Sequence, residues 1–131
     1  MNSSHLKDRT KAFAIAIVKL VEAMPRSRNG YVIGNQLLRA GTSVAANYRS
    51  ACRARSRRDF ISKMGIVEEE ADETELWLEL AAEARVADPT IVSSLRKEAG
   101  ELLSIVVASI RTARQALRPN PQSAIRNPQC S

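Results

Sequence analysis

The sequence contains one histidine, His5, and two cysteines, Cys52 and Cys130. General acid–base and nucleophilic mechanisms usually recruit a histidine, or a cysteine or serine beside one. We expect His5 to be an exposed residue near the N-terminus and Cys52 to be a packed thiol. Two cysteines form neither a disulfide framework nor a zinc-binding pattern. The sequence therefore predicts a protein that is not an enzyme, with no catalytic residues and no cofactor, in a reducing, cytoplasmic setting.

Aromatic residues make up 4% of the chain and glycine occurs five times, which argues against a β-rich fold. The apolar run AFAIAIVKLVEAM is interrupted by Lys19 and Glu22, so it is too short and too charged to span a membrane, and no signal peptide is visible. Hydrophobic residues at 44% and charged residues at 26% are typical of a folded soluble protein. A chain of 131 residues has room for one domain.

Apolar residues recur at helical spacing in four segments. These segments are 6–24, a second that starts near Tyr31 after the turn PRSRNG, 57–85, and 89–117, where Asp88 is the cap and Pro89 the first helical residue. Short connections make consecutive helices antiparallel. We therefore predict an all-α, antiparallel up-down-up-down four-helix bundle over residues 1–117, followed by a flexible Pro-containing tail at 118–131.

Two features of the apolar stripes stand out. In the second helix Asn47 lies in the same stripe as Leu37, Ala40 and Val44, so we predict a hydrogen-bonded polar core residue that fixes helix register. In the fourth helix, the stripe of Ile91, Leu95, Ala99, Leu102, Val106, Ala113 and Leu117 is widened by a second set, Leu103, Val107 and Ile110. An apolar face this wide indicates that the fourth helix is covered by neighbours on two sides.

The third helix is rich in carboxylates, namely Glu68, Glu69, Glu70, Asp72, Glu73, Glu75, Glu79 and Glu83. Di-iron sites in helical bundles combine facing glutamates with Glu-x-x-His on two helices, and this chain has no such pair. We therefore predict a solvated or ion-paired acidic face and no metal site.

The net charge is +6, and arginines concentrate in NYRSACRARSRRDF, from Asn47 to Phe60. Arg49, Arg53 and Arg57 follow at four-residue steps, so we expect them on one helical face. Ser56 and Asp59 resemble a capping box, which predicts a corner and a new helix from Arg57. The predicted nucleic-acid-binding residues are Arg49, Arg53, Arg55, Arg57, Arg58 and Lys63.

Two kinds of partner could balance this basic cluster. One is RNA or DNA phosphate, whose neutralisation releases counterions. The other is the acidic face of the third helix, in the same molecule or in a neighbour. The only aromatic residues among the arginines are Tyr48 and Phe60, and both can be core residues, so base-specific recognition is not indicated.

The segment from Met24 to Leu80 has a distinctive order of features. A Pro-containing turn precedes a Leu-Arg-Ala-x-x-Ser-Val-x-x-Asn helix, a Ser-x-x-Asp-Phe corner and a Glu-rich helix. In this order the chain resembles the 23S rRNA intervening-sequence protein family, or S23 family, over roughly 11–110. The matching residues are Arg39, Ser43, Asn47, Arg49, Ser56, Phe60, Glu73 and Trp77. The sequence departs from the family where Arg-Ser-Ala-Cys-Arg follows Tyr48, since many members carry a Glu-Gly pair there.

The resemblance implies a four-helix bundle that assembles as a homo-oligomer, typically a pentameric ring or barrel. The family is related to the accessory variability proteins of diversity-generating retroelements. For those relatives the resemblance further implies a positively charged surface that binds nucleic acid and a reverse transcriptase partner. We therefore predict a non-enzymatic, homo-oligomeric bundle that binds RNA or DNA largely without sequence preference and makes no membrane contact. The alternative is a protein–protein interaction scaffold whose basic face pairs with acidic faces of neighbouring subunits or of a partner protein.

Overall fold

Four α-helices account for nearly all of residues 3–118, the part of the chain that the computed structural model describes. They are α1 (Ser3–Glu22), α2 (Arg28–Cys52), α3 (Arg57–Glu83) and α4 (Pro89–Ala116). Each helix packs against the next, and α4 closes back on α1. The predicted all-α, up-down-up-down bundle is confirmed. Apart from Arg118, the predicted tail at 118–131 lies outside the described residues.

The helices begin where polar side chains cap them. Ser27 accepts a hydrogen bond from the backbone N–H of Gly30 over 3.1 Å, so α2 begins at Arg28. The predicted start near Tyr31 is therefore three residues late, because the turn is shorter than the PRSRNG motif. Asp88 caps α4 with Pro89 directly after it, as predicted.

The core is a continuous cluster drawn from all four helices. The apolar stripe that helical spacing predicts for α3 runs from Phe60 to Ala81. Phe60 is half-buried, and the rest of the stripe is buried: Met64, Val67, Ala71, Thr74, Leu78 and Ala81. In α4 the prediction fails at both ends, since Ile91 is 48% exposed and Leu117 is 36% exposed. Val92 lies three residues and Ile91 four residues before buried Leu95, so either residue fits helical spacing. Val92 is the one on the side of α4 that faces the core, and it is buried. Leu103 and Val107 are half-buried.

α1 and α4 are the adjacent helices that contact each other least. They are joined by ion pairs of Arg9, which we name the Arg9 clasp. Arg9 donates two hydrogen bonds to the carboxylate of Glu98, both over 2.8 Å, and one to Glu101 over 2.7 Å. These bonds raise the pKa of Arg9 above its ordinary value. The clasp thus joins the first and last helices of the bundle.

None of the helices within residues 3–118 is long and apolar enough to cross a membrane.

Candidate nucleic-acid interface

α2 and α3 meet at a sharp corner. α2 ends at Cys52, and Ser56 has an extended backbone with φ −156° and ψ 168°. The hydroxyl of Ser56 accepts a hydrogen bond from the backbone N–H of Asp59 over 3.0 Å, which starts α3 at Arg57. The predicted corner and restart are confirmed.

The corner separates residues that the sequence interpretation placed together. Arg53 is the C-cap of α2, whereas Arg57 is the first residue of α3. The prediction that Arg49, Arg53 and Arg57 project from one helical face is therefore wrong, because no helix continues through residues 53–56. The six predicted binding residues nonetheless lie close in the chain around this corner, and we name residues 49–63 the basic corner.

Most of the positive charge in the basic corner is uncompensated. Four arginines have exposed side chains and make no ion pair within residues 3–118, namely Arg49, Arg53, Arg55 and Arg58. Lys63 lies 3.2 Å from the carboxylate of Asp59, one turn earlier in α3, and Arg57 is half-buried. The structure thus leaves four of the six predicted residues available to an anion.

Asp59 is the one acidic residue of the basic corner. Its carboxylate accepts a hydrogen bond from the backbone N–H of Arg55 over 3.1 Å and also pairs with Lys63. The hydrogen bond from Arg55, followed by the contact with Lys63, holds the pKa of Asp59 below its ordinary value of 3.8. This carboxylate shapes the turn, and it forms an ion pair with none of the four exposed arginines.

The residues just before the corner anchor α2 in the core. Tyr48 is buried, and burial, followed by a hydrogen bond with Cys52, raises its pKa. Asn47 lies at the edge of the core, where it is half-buried, and its amide donates to the carbonyl oxygen of Ser43 over 2.9 Å. The Asn47 amide is thus satisfied within its own helix, and its role in fixing the register of the bundle stays a prediction.

The acidic face of α3 does not neutralise the exposed arginines of the corner. Glu70 and Glu73 pair with Arg39 of α2, and Glu79 lies 4.0 Å from Arg96 of α4. The remaining carboxylates form no ion pair in the described chain: Glu68, Glu69, Asp72, Glu75 and Glu83. No group of three or more His, Cys, Asp or Glu residues that could hold a metal ion occurs between residues 3 and 118.

Three arginines that the sequence interpretation left out lie at the same end of the bundle. Arg111 and Arg114 lie in the last turns of α4, Arg118 follows two residues after the helix ends, and all three are exposed. The predicted up-down order of the helices could have identified these arginines, because it places the end of the fourth helix beside the start of the third.

Comparison with known proteins identifies the family. Residues 3–108 match the family model described as 23S rRNA-intervening sequence protein. The chain belongs to this family. Among solved structures it is similar to a protein of unknown function from the S23 ribosomal protein family of Bacteroides thetaiotaomicron VPI-5482. That similarity has 35% identity and a TM-score of 0.79, and covers 85% of this chain and 99% of the other. No curated protein matches the chain.

Proposed function

We propose that this member of the 23S rRNA-intervening sequence protein family is a non-enzymatic, homo-oligomeric bundle that binds RNA or DNA through its basic corner. The observation that carries the proposal is the set of four exposed arginines without an ion pair within residues 3–118: Arg49, Arg53, Arg55 and Arg58. Like charges gathered around one corner repel one another unless an anion balances them. Phosphates would do so with the added gain of counterion release.

Recognition of the phosphate backbone accounts for the proposed lack of sequence preference. Tyr48 is buried, and Phe60 is half-buried and packs against the core. Neither ring is a free platform on which a base could stack. Contacts to phosphate position a nucleic acid but do not read its sequence. Affinity should therefore depend on salt and vary little with sequence.

A fluorescence-anisotropy titration tests the proposal. Short single-stranded and duplex RNA and DNA are titrated with the protein at low and physiological salt. We expect binding that persists at physiological salt, with a log–log salt slope of about −0.9 for each phosphate contacted on duplex DNA. Replacing the four exposed arginines with glutamine should weaken binding to every sequence alike. Absence of binding at physiological salt would contradict the proposal.

The control removes the same charge elsewhere. The control uses four of the basic residues outside the basic corner that are exposed and make no ion pair in the described chain: Lys19, Arg26, Arg28 and Lys97. Their replacement with glutamine lowers the net charge by the same amount as the corner variant. If both variants bound equally weakly, total charge would be responsible and the basic corner would not be the site.

A second candidate function is a protein–protein interaction scaffold. Exposed Glu69, Asp72 and Glu83 of α3 make no ion pair in residues 3–118 and could pair with corner arginines of a neighbouring subunit. The resemblance implies a pentamer, and it suggests a reverse transcriptase as one possible protein partner. Light scattering separates the candidates, because the corner variant should lose oligomer mass if its arginines hold subunits together. If they bind nucleic acid, the mass should stay unchanged.

A further inference from the structure

A row of arginines outside the basic corner lies in the last turns of α4 and just after them. Arg111 and Arg114 are three residues apart, which places them on one side of α4, and Arg118 follows the C-cap residue Leu117. All three side chains are exposed and none makes an ion pair within residues 3–118. We name these three residues the α4 row.

An ion pair further up the bundle shows which neighbour the α4 row borders. Arg96 lies 18 residues, or five helical turns, before Arg114, so the two share one side of α4. The guanidinium of Arg96 lies 4.0 Å from the carboxylate of Glu79 on α3. Arg114, and Arg111 one turn before it, therefore lie on the edge of α4 that borders α3.

The same ion pair sets the level of the α4 row along the bundle. α3 and α4 are antiparallel and rise about 1.5 Å per residue, so equal steps from Glu79 and Arg96 reach equal heights. Ile61 lies eighteen residues before Glu79, and Arg114 lies eighteen residues after Arg96, so Ile61 and Arg114 lie at the same height. Packed helices lie about 8–10 Å apart, which is close to one Debye length at physiological salt. The α4 row thus lies at the level of the start of α3, about one helix spacing from the basic corner.

The distribution of charge singles out this end of the bundle. Residues 49–63 and 111–118 hold nine of the twenty Lys and Arg residues and one of the fourteen Asp and Glu residues. The rest of the chain then holds eleven basic and thirteen acidic residues. The positive net charge of the protein therefore arises at this end.

Gly65 leaves space between the two sets of arginines. It lies fourteen residues, or two heptads, before Glu79 and so on the edge of α3 that borders α4. A Cβ atom at this position would meet nothing within 4 Å. The absence of a side chain lets another backbone approach the helix closely.

We propose that Arg111, Arg114 and Arg118 form a second phosphate-binding row. The nucleic-acid backbone then runs across the end of the bundle, from the basic corner over the α3–α4 boundary at Gly65 to the α4 row. This inference rests on the proposed function and deepens it, because it assigns binding residues on a third helix and a path for the bound strand.

The test replaces Arg111, Arg114 and Arg118 with glutamine and repeats the anisotropy titrations with short RNA and DNA, single-stranded and duplex. We expect weaker binding and a log–log salt slope on duplex DNA that is smaller in magnitude by about 2–3, close to 0.9 per lost contact. A control that replaces Arg26, Arg28 and Lys97 removes equal charge and should leave the slope unchanged. Circular dichroism verifies that both variants are folded.

A pair of glycine variants tests the path itself. Gly65→Leu adds bulk between the two sets of arginines, whereas Gly100→Leu adds the same bulk to α4, away from the basic end, where a Cβ atom also meets nothing within 4 Å. We expect Gly65→Leu to weaken binding several-fold and Gly100→Leu to leave it unchanged. Equal affinities of the two variants would overturn the path over Gly65.

The outcomes separate this inference from the proposed function. If the variant of the basic corner loses binding and the variant of the α4 row keeps both affinity and salt slope, the second row is wrong and the proposed function stands. If the unaltered protein binds no nucleic acid at physiological salt, both are wrong.

Discussion

The carboxylate of Asp59 accepts a hydrogen bond from the backbone N–H of Arg55 across the start of α3, over 3.1 Å. In return, the backbone N–H of Asp59 donates to the hydroxyl of Ser56, the residue between them that caps the helix. These two bonds close the corner into a defined turn. The exposed arginines around it are therefore held on a rigid support, which lowers the entropy lost when they bind.

The first prediction concerns the pH dependence contributed by Asp59. Its pKa in the folded chain is below 3.8, because Arg55 and Lys63 stabilise the carboxylate. A depressed folded-state pKa gives stabilisation that is complete above the unfolded-state value and is lost as pH falls through the folded-state value. We expect the melting temperature of the unaltered protein to fall more steeply below pH 3.8 than that of Asp59→Asn. Circular dichroism melts across this range measure the difference.

A matched control for Asp59 is Asp72, which is exposed and makes no ion pair in the described chain. Asp72→Asn should follow the melting curve of the unaltered protein at every pH. If Asp59→Asn also followed that curve, its carboxylate would not stabilise the corner.

The second prediction concerns the cap of α3. The Ser56 hydroxyl accepts from the backbone N–H of Asp59, and loss of such a cap costs about 1 kcal/mol. We expect Ser56→Ala to lower the free energy of unfolding in urea by that amount. Ser62→Ala, at an exposed position inside α3, should change it little. Equal effects of the two changes would argue against a capping role.

Local signals and long-range contacts differ in how well the sequence predicts them. The corner was predictable because Ser56 and Asp59 form a capping pair within four residues. The partner of Arg9 was not, because Glu98 lies 89 residues away, and helical periodicity does not specify which residues of two packed helices lie at the same height. Arg57 was misplaced for a related reason, since four-residue spacing indicates a shared face only while the helix continues.

The third prediction concerns the Arg9 clasp. The side chains of Arg9 and Glu98 are 23% and 29% exposed, and Arg9 binds the carboxylate of Glu98 through two hydrogen bonds. Such geometry places the pair near the upper end of surface ion pairs, at about 1 kcal/mol. We expect Arg9→Gln to lower the free energy of unfolding by about this amount, less so at high salt.

A double-mutant cycle with Glu98→Gln isolates the contribution of the Arg9–Glu98 pair. The combined variant should lose less stability than the sum of the two single variants. Lys11→Gln, at an exposed position of α1, is the control and should have little effect. Strict additivity would mean that the Arg9–Glu98 pair contributes no coupling energy between α1 and α4.

The last prediction compares glycines inside helices, where replacement with alanine raises helix propensity by about 1 kcal/mol. At Gly65 and Gly100 a Cβ atom meets nothing within 4 Å, so each alanine should stabilise the bundle by up to that amount. At Gly41 the Cβ atom would lie 2.9 Å from two side-chain carbons of Ile17, and overpacking of about 1–3 kcal/mol should outweigh the gain. In urea unfolding, Gly65→Ala and Gly100→Ala should therefore raise the free energy of unfolding, and Gly41→Ala should lower it. A stabilised Gly41→Ala would show that Ile17 can move aside, and a destabilised Gly65→Ala would contradict an open α3–α4 boundary.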